Sequence, residues 1–329
     1  MRRKASLILL AFAVFFTALS PLVRWYAFPR LAKVPANQYQ ETVLEAKDAT
    51  LINYKSLKAE KVPKVTIVQT LKGNVEESNR IEKSAGKDVV VWDALSYIVD
   101  SKGGMVSKVP ERYIFDAHSQ APVHATGEMV DGDQVSREGI EFKWPFLTEK
   151  RDYEYFDAQT RKSAPIHYKG TVKYRGLDVY YFEQDIAWTQ VAMPKTMPIA
   201  GVTPAIIKQT GLTRWYKTKR MFWVDPLTGG PVNGEEIQQN ELRNATALFG
   251  HDKVTVFSGH VKMRQDYLDS TYNLVKKNRV LILAFTSYVP WGSLGLGVLL
   301  LALSLFLEAR SRRPGPEQVT ETEPEPVTA

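Results

Sequence analysis

The sequence predicts a mainly β (α+β) protein, with a large antiparallel extracytoplasmic domain, barrel-like or sandwich-like, between N- and C-terminal transmembrane helices. Residues 5–23 and 289–307 carry no charge. About 20 apolar residues cross the hydrocarbon core of a bilayer, and they must do so as a helix to satisfy their backbone polar groups. Between these runs, apolar residues recur with period two more often than with the helical period of about 3.6, and Gly and Pro separate the segments.

The N-terminal run predicts an uncleaved signal anchor. Residues 2–4 are basic and precede the apolar run of residues 5–23, as in secretory signals. Pro21 follows the best cleavage position, where proline blocks the peptidase, so cleavage is the weaker alternative. Trp25 and Tyr26 come next and are expected at the outer membrane interface, where amphipathic rings are enriched.

Two spans place both termini on one side of the membrane. The basic N-terminal tail predicts that this side is the cytoplasm, because positive charge favours the cytoplasmic face. Tyr288 and Trp291 are expected at the interface of the second span. From Pro314 the chain is rich in Pro, Glu and Thr and predicts disorder. The predicted regions are a cytoplasmic N-terminus 1–4, a signal anchor 5–23, an extracytoplasmic β-rich domain 24–279, a membrane-proximal helix or linker 280–288, a transmembrane helix 289–307 and a disordered cytoplasmic tail 308–329.

The central region predicts a series of strands joined by turns. Arg175-Gly176 predicts a hairpin, and the Pro- and Gly-bearing stretch 225–230 predicts a chain reversal. Asp266 is expected to cap a helix with Leu268, Tyr272 and Val275 on one face. The strand candidates are 65–71, 89–92, 95–99, 113–115, 140–144, 153–156, 166–174, 177–186, 213–224 and 254–263.

Composition excludes several classes of site. The chain has no cysteine, which excludes disulfides, a thiol nucleophile and cysteine-ligated metals. Asp116, His118 and His124 could form at most a weak metal cluster. The chain has no nucleotide-binding loop, and no constellation of nucleophile, base and orienting group emerges. We therefore expect no catalysis, no cofactor, no bound metal and no nucleic-acid partner.

The stretch 139–157 is unusually dense in aromatic residues. Ile140, Phe142 and Trp144 alternate with charged residues and predict a half-buried strand that ends at Pro145. The stretch 193–211 is apolar and contains three prolines, which predicts an irregular segment that packs on the core, gates an apolar pocket or dips toward the bilayer. If the domain holds an apolar ligand, the lining candidates are Phe142, Trp144, Phe146, Tyr153, Tyr155 and Phe156.

These motifs resemble the PorA-type family of actinobacterial two-pass membrane proteins. The resemblance rests on the 139–157 stretch, the turn from Trp223 to Gly229, the early basic-apolar anchor and the late span that contains Pro290. It implies a membrane location, while the function of that family is largely unassigned. The anchor–β-domain–anchor layout is also similar to that of the class B scavenger receptors, whose external domain contains an apolar tunnel. The absence of cysteine departs from those receptors.

The favoured function is an integral cell-membrane protein whose external β domain binds or passes an apolar or envelope-associated ligand. One alternative is a structural or partner-binding envelope protein, and a second is a pore-forming, porin-like protein. The expected partners are the lipid bilayer and a lipid or another envelope component. The sequence does not determine the oligomeric state.

Overall fold

A computed structural model describes residues 2–54, 56, 58–196, 202–244 and 252–311. The chain divides into two compact units. The terminal unit comprises Met1–Leu31 and Leu283–Ala329, and the β unit comprises Ala32–Ile282. The structure is mainly β with a long apolar helix near each end, which confirms the predicted fold class. The predicted disordered tail lies outside the described residues from 312 onwards.

Helices occupy both ends of the chain and three places in the β unit. The helices are α1 (Arg2–Pro21), α2 (Phe28–Leu31), α3 (Val75–Ala85), α4 (Pro204–Gln209), α5 (Gln265–Leu283) and α6 (Val289–Ser311), with π-helical turns at Leu22–Ala27 and Ala284–Tyr288. Two helical segments, Lys4–Leu31 and Gln265–Arg310, are long and apolar enough to cross a membrane by length and composition.

In the terminal unit, α1 packs against α6 through small residues. The Ser304 hydroxyl donates to the Ser6 carbonyl oxygen at 2.8 Å, and the Ser6 hydroxyl donates to the Ser304 carbonyl oxygen at 3.1 Å. Gly297 lies so close to α1 that an added Cβ would be 2.6 Å from Thr17 Oγ1. Small residues and interhelical hydrogen bonds are the usual means by which apolar helices associate in lipid.

The β unit contains one 12-stranded antiparallel sheet. The strands are β1 (Tyr39–Asn53), β2 (Lys58–Gly73), β3 (Val89–Val99), β4 (Met105–Asp116), β5 (Met129–Val130), β6 (Asp133–Gln134), β7 (Tyr153–Asp157), β8 (Lys162–Tyr174), β9 (Leu177–Val191), β10 (Thr213–Val224), β11 (Pro231–Arg243) and β12 (Lys253–Met263). Their order in the sheet is β6-β5-β4-β3-β2-β1-β12-β11-β10-β9-β8-β7. The first meander is therefore β1–β6 and the second is β7–β12, and the two join where β1 pairs with β12. The sheet is open, with β6 and β7 at its edges, so the predicted barrel or sandwich closure is not confirmed.

Most strand predictions are confirmed, and the hairpin at Arg175-Gly176 joins β8 to β9. The two candidates at 89–92 and 95–99 form one strand, β3. Strands β1, β5, β6 and β11 were missed. Long polar stretches interrupt the apolar pattern of β1 and β11, and β5 and β6 have only two residues each. Helix α3 was also missed, although its cap residues were readable. Asn74 accepts a hydrogen bond from Glu77 N, and Gly86 ends the helix in the left-handed region at φ 65°.

Two smaller predictions need correction. Helix α5 begins at Gln265, so Asp266 lies in its first turn rather than at its cap, and its carboxylate pairs with Arg264 at 2.6 Å. The stretch 193–211 was expected to lack regular structure, but Pro204 begins the short helix α4. Proline suits the first turn of a helix, where its missing N–H has no partner to lose. Residues 197–201 lie outside the described residues.

Candidate ligand-binding cleft

The segment between β6 and β7, residues 135–152, links the two meanders, and we call it the crossing segment. Ile140 N donates to Glu154 O at 2.8 Å, which fastens this segment beside β7. Trp144 N donates to Gly229 O at 2.8 Å, and Thr148 N donates to Pro226 O at 2.7 Å, so its second part lies along the 225–230 turn. The turn itself is held by the buried carboxylate of Asp225, which accepts from Thr228 N.

The predicted half-buried strand at 140–144 is wrong. Only Ile140 makes a strand-like bridge, to Tyr155, and the residues that follow form bends and turns. Phe142 has φ 59°, in the left-handed region that a bulky side chain rarely adopts. This turn of the backbone sends Phe142 and Trp144 into different hydrophobic clusters, whereas an extended strand would have kept them on one face.

A cleft lies between the crossing segment and the first meander. Its space reaches about 420 Å³ when the open solvent at its mouth is included, and its enclosed part has room for about two water molecules. Its apolar walls include Trp92 on β3 and Tyr113 on β4, with Phe142 contributed by the crossing segment. The Phe142 ring lies edge-on to Tyr113, with 4.3 Å between centroids, and 6.0 Å from Trp92. The polar lining residues are Gln120, Glu128, Arg137, Glu141 and Lys143.

Arg137 organises a buried acidic cluster at one part of the cleft. Its guanidinium donates to Glu141 at 3.0 Å and to Glu111 at 3.2 Å, and it lies 4.0 Å from Glu128. It also stacks on the Tyr113 ring at 4.3 Å. Three carboxylates thus share one cation. Burial raises the pKa of Glu111 and Glu128 and raises that of Glu141 well above its usual range.

Lys143 is the second cation of the cleft, and it has no carboxylate partner among the described residues. Its Nζ donates to the Trp144 carbonyl oxygen at 2.9 Å and to Gln120 Oε1 at 3.5 Å, and it lies 3.6 Å from the centroid of the Phe146 ring. Burial lowers the pKa of Lys143 to about 7. The ammonium is therefore poorly compensated, since neutral acceptors replace water without supplying a counter-charge.

Two buried polar atoms of cleft-lining residues have no hydrogen bond within the part of the chain that is described. They are Nε1 of Trp92 and Oε1 of Glu128. Buried polar atoms without partners are rare in folded proteins, and each calls for a reason. A third such atom, Nε1 of Trp144, lies in the neighbouring hydrophobic cluster, so two of the three found among the described residues belong to this cleft.

The structure brings one of the six predicted lining residues, Phe142, to this cleft. Phe146 does not line the cleft, but its ring lies against the ammonium group of Lys143, which does. Trp144, Tyr153 and Tyr155 belong to the hydrophobic cluster of the second meander, with Trp144 fully buried against Phe182 and Phe222. Phe156 is buried under the Arg137 guanidinium. These four aromatic side chains pack the core beside the cleft.

Sequence reasoning missed the residues that give the cleft its charge. Lys143 was placed on the solvent face of the predicted strand, because strict alternation puts it opposite Phe142 and Trp144. The available clue to its position was local, because Lys143 is the only charged residue in the aromatic stretch from Phe142 to Phe146. Trp92 and Tyr113 were recognised only as strand residues, because the sequence does not show that they lie opposite each other on β3 and β4.

The predicted interface aromatics all lie exposed on the terminal unit. Trp25, Tyr26, Tyr288 and Trp291 have exposed fractions of 75%, 55%, 63% and 71%. The Arg30 guanidinium stacks on the Tyr26 ring at 3.7 Å. Large exposed rings at the ends of apolar helices are compatible with a position among lipid headgroups, which stays a prediction.

Comparison with known proteins identifies relatives across most of the chain. The sequence model of the family described as Porin PorA matches residues 5–306. A protein named Porin PorA from Corynebacterium resistens is 26% identical over 192 residues, which cover 40% of this chain and 46% of the relative. Another Porin PorA, from Corynebacterium amycolatum, is 21% identical over 223 residues, which cover 56% of this chain and 58% of the relative. The chain spans about half the length of the curated relatives it matches.

Proposed function

Because the chain belongs to the porin PorA family, we propose that it is a membrane-anchored envelope protein whose β unit binds the apolar body of an envelope-associated ligand. The observation that carries this proposal is the cleft under Phe142. Ligand sites are concave and mostly apolar, with a few convergent polar groups, and this cleft has that composition. The strained backbone of Phe142 adds support, since such strain is concentrated at ligand clamps and switches.

The proposed placement has both termini in the cytoplasm and the β unit outside it. The support is the basic residues at 2–4 and the two apolar helical segments near the ends of the chain. The chain contains no cysteine, so single cysteines can report the topology. A membrane-impermeant maleimide should label Ser101→Cys, in the exposed β3–β4 loop, on intact cells. Ala309→Cys, at the end of α6, should be labelled only after lysis, and the reverse pattern would refute this topology.

Ligand binding is tested with a small neutral aromatic probe, 1-naphthamide. The full chain in phosphatidylcholine nanodiscs should bind this probe above the level of empty nanodiscs in equilibrium dialysis. Val34→Phe adds a ring to the cleft wall and should reduce binding severalfold. Val172→Phe, on the exposed surface of β8, is the matched control and should bind as the wild type does. Thermal unfolding of both variants checks that they fold, and absent binding by the wild type would refute the proposal.

Pore formation is the second candidate function, because the relatives carry the name Porin PorA. The purified chain, added to a planar bilayer, should then produce discrete conductance steps. A chain that binds 1-naphthamide in nanodiscs but gives no conductance supports ligand binding alone. A chain that conducts without binding the probe supports the pore.

A further inference from the structure

We propose that the cleft selects small amphipathic anions, with the Lys143 ammonium as the counter-charge for a carboxylate and the aromatic walls as the seat of the ligand's apolar body. The inference deepens the proposed function and rests on it. Its first support is geometric, because Lys143 lines the same cleft as Trp92, Tyr113 and Phe142. A ligand that lies against these rings therefore has a lysine at the side of its site.

The second support is the unfilled coordination of Lys143. An ammonium group has three N–H donors. In this structure one meets a backbone carbonyl oxygen at 2.9 Å, another meets an amide oxygen at the long distance of 3.5 Å, and the remaining contact of the ammonium is the neutral ring of Phe146. Within the described residues no carboxylate lies within ion-pair distance of Nζ. A ligand carboxylate would supply both the missing acceptor and the missing charge, and charge-assisted hydrogen bonds are about twice as strong as neutral ones.

The third support is the contrast with Arg137, the other cation of the cleft. Arg137 is saturated by Glu111 and Glu141 and by the carbonyl oxygens of Arg112 and Met129. An incoming anion gains little there and would be repelled by the surrounding carboxylates. Lys143 is therefore the cation that would select an anionic ligand. Arg137 and its carboxylates instead hold the crossing segment against β4.

A cationic ligand is the opposing possibility. Aromatic rings and a buried carboxylate such as Glu128 are the usual elements of an ammonium site. However, Glu128 lies 4.0 Å from the Arg137 guanidinium, which already supplies it with a counter-charge. Lys143 has only neutral groups around it, two oxygen acceptors and the Phe146 ring. The balance favours the anion, and a cationic probe decides the question directly.

Three probes with one ring system separate charge from shape: 1-naphthoate, 1-naphthamide and 1-naphthylmethylammonium. Each is dialysed against the full chain in phosphatidylcholine nanodiscs at about pH 6, one unit below the pKa of Lys143 of about 7. We expect the naphthoate to bind about tenfold more tightly than the naphthamide, as a charge-assisted hydrogen bond implies. The ammonium probe should bind more weakly than either.

Lys143 variants then test the assignment. Lys143→Met should reduce naphthoate affinity to that of naphthamide and leave naphthamide affinity unchanged, whereas Lys143→Arg should retain part of the preference. Lys102→Met, in the exposed β3–β4 loop, is the control and should retain the wild-type ratio. Equal binding of the two probes by the wild type, a preference unaffected by Lys143→Met, or tighter binding of the ammonium would overturn the inference while leaving ligand binding intact. If naphthoate and naphthamide both fail to bind, the proposed function falls as well.

Discussion

The guanidinium of Arg161 donates to the carboxylate of Asp133 at 2.7 Å, and this ion pair joins the two edges of the sheet. Asp133 lies in β6, and Arg161 lies in the turn that follows β7. No hydrogen-bonded strand pair connects β6 to β7 within the described residues, so this ion pair supplements the crossing segment in holding the two edges together. Lys195 also donates to Asp133, which makes this carboxylate the meeting point of three segments.

Arg161→Met should lower the free energy of unfolding only modestly, by about 0.5–1 kcal/mol, because the pair is partly exposed and exposed ion pairs contribute little. Its local effect should be larger. Hydrogen exchange at the amides of β6 should become faster, since the edge loses its tie. The control is Lys173→Met, which breaks the exposed pair with Asp178 inside one hairpin and should leave β6 exchange unchanged. Slow exchange at β6 in Arg161→Met would show that the pair does not hold the edge.

Arg137→Met should destabilise the β unit by about 3–5 kcal/mol, because it leaves buried carboxylates without their cation. The loss should grow with pH. A raised pKa in the folded state means that stability is fully present at low pH and is lost as the pH rises through that pKa. Glu111, Glu128 and Glu141 all have raised pKa values, and removing the arginine raises them further.

Urea unfolding at several pH values measures this effect. Arg151→Met, which breaks the exposed pair with Glu149 and removes the guanidinium from the Tyr153 ring, is the matched control and should stay within about 1 kcal/mol of the wild type. If the destabilisation by Arg137→Met did not depend on pH, the three glutamates would not be forming ion pairs with Arg137 in the folded protein.

Gly229→Ala should destabilise the 225–230 turn and detach the crossing segment. A Cβ at this position would be 2.1 Å from the Trp144 carbonyl oxygen, and because that oxygen belongs to the backbone, only a shift of the main chain could relieve the clash. Gly176→Ala is the matched control, because Gly176 also has a positive φ, 84°, but an added Cβ there meets no atom within 4 Å. Both variants carry the cost of a left-handed alanine, so their difference isolates the clash. We expect a difference of at least about 2 kcal/mol in urea unfolding, typical of overpacking. Equal effects would mean that the crossing segment moves away at no cost.

The affinity for 1-naphthoate should fall as the pH rises from about 6 to about 8, because Lys143, with a pKa of about 7, loses its proton over that range. The fall should level off at about tenfold overall, the ratio expected between the two probes when Lys143 is charged. Among the other titratable groups that line the cleft, Glu128 and Glu141 also lower the affinity for the anion as the pH rises, because they become negative. Arg137 stays charged over this range. Tyr113 stays neutral, because its pKa is raised well above 10. The affinity for 1-naphthamide should stay constant. Lys143→Met should flatten the naphthoate profile, and an equally steep profile in that variant would assign the pH dependence to the glutamates.

Gly297→Val should weaken the packing of α1 on α6 by about 1–3 kcal/mol, because its side chain would meet Thr17 and the Ala13 carbonyl oxygen. Gly295→Val is the matched control, since an added Cβ at that position meets no atom within 4 Å. Ser6→Cys with Ser304→Cys provides the measurement, because the two hydroxyl oxygens are 3.1 Å apart and the chain has no other thiol. Oxidative cross-linking should be fast in this background, slow with Gly297→Val added and unchanged with Gly295→Val added. Similar rates in all three proteins would show that the helices tolerate separation at this point.

Local signals predicted the local parts of the fold. Arg175-Gly176 predicted a hairpin because a two-residue turn depends on the backbone preferences of its own residues. The helix at 289–307 could be predicted from the length and apolar character of that run alone. The pairing of β1 with β12 could not be predicted in this way, because no periodicity within either strand encodes a partner about 200 residues away.

The candidate site was only partly predictable for a related reason. Aromatic density located the correct stretch, but alternation placed its residues on a strand. The left-handed backbone of Phe142 places its ring against Trp92 and Tyr113, which lie on other strands. Lys143, the next residue, is half-buried beside the same rings. A pattern that treats every residue as extended cannot represent this geometry.

The pairing of β1 with β12 also constrains the order of assembly. As the chain is synthesised, β1 and β2 emerge early, but the other edge of β1 has no partner until residues 253–263 have been made. Throughout that interval the nascent protein exposes a strand edge, which is the feature most prone to intermolecular association. The last strand thus completes the protein by docking between β1 and β11, and a chain that stops before Lys253 would leave both meanders with open borders.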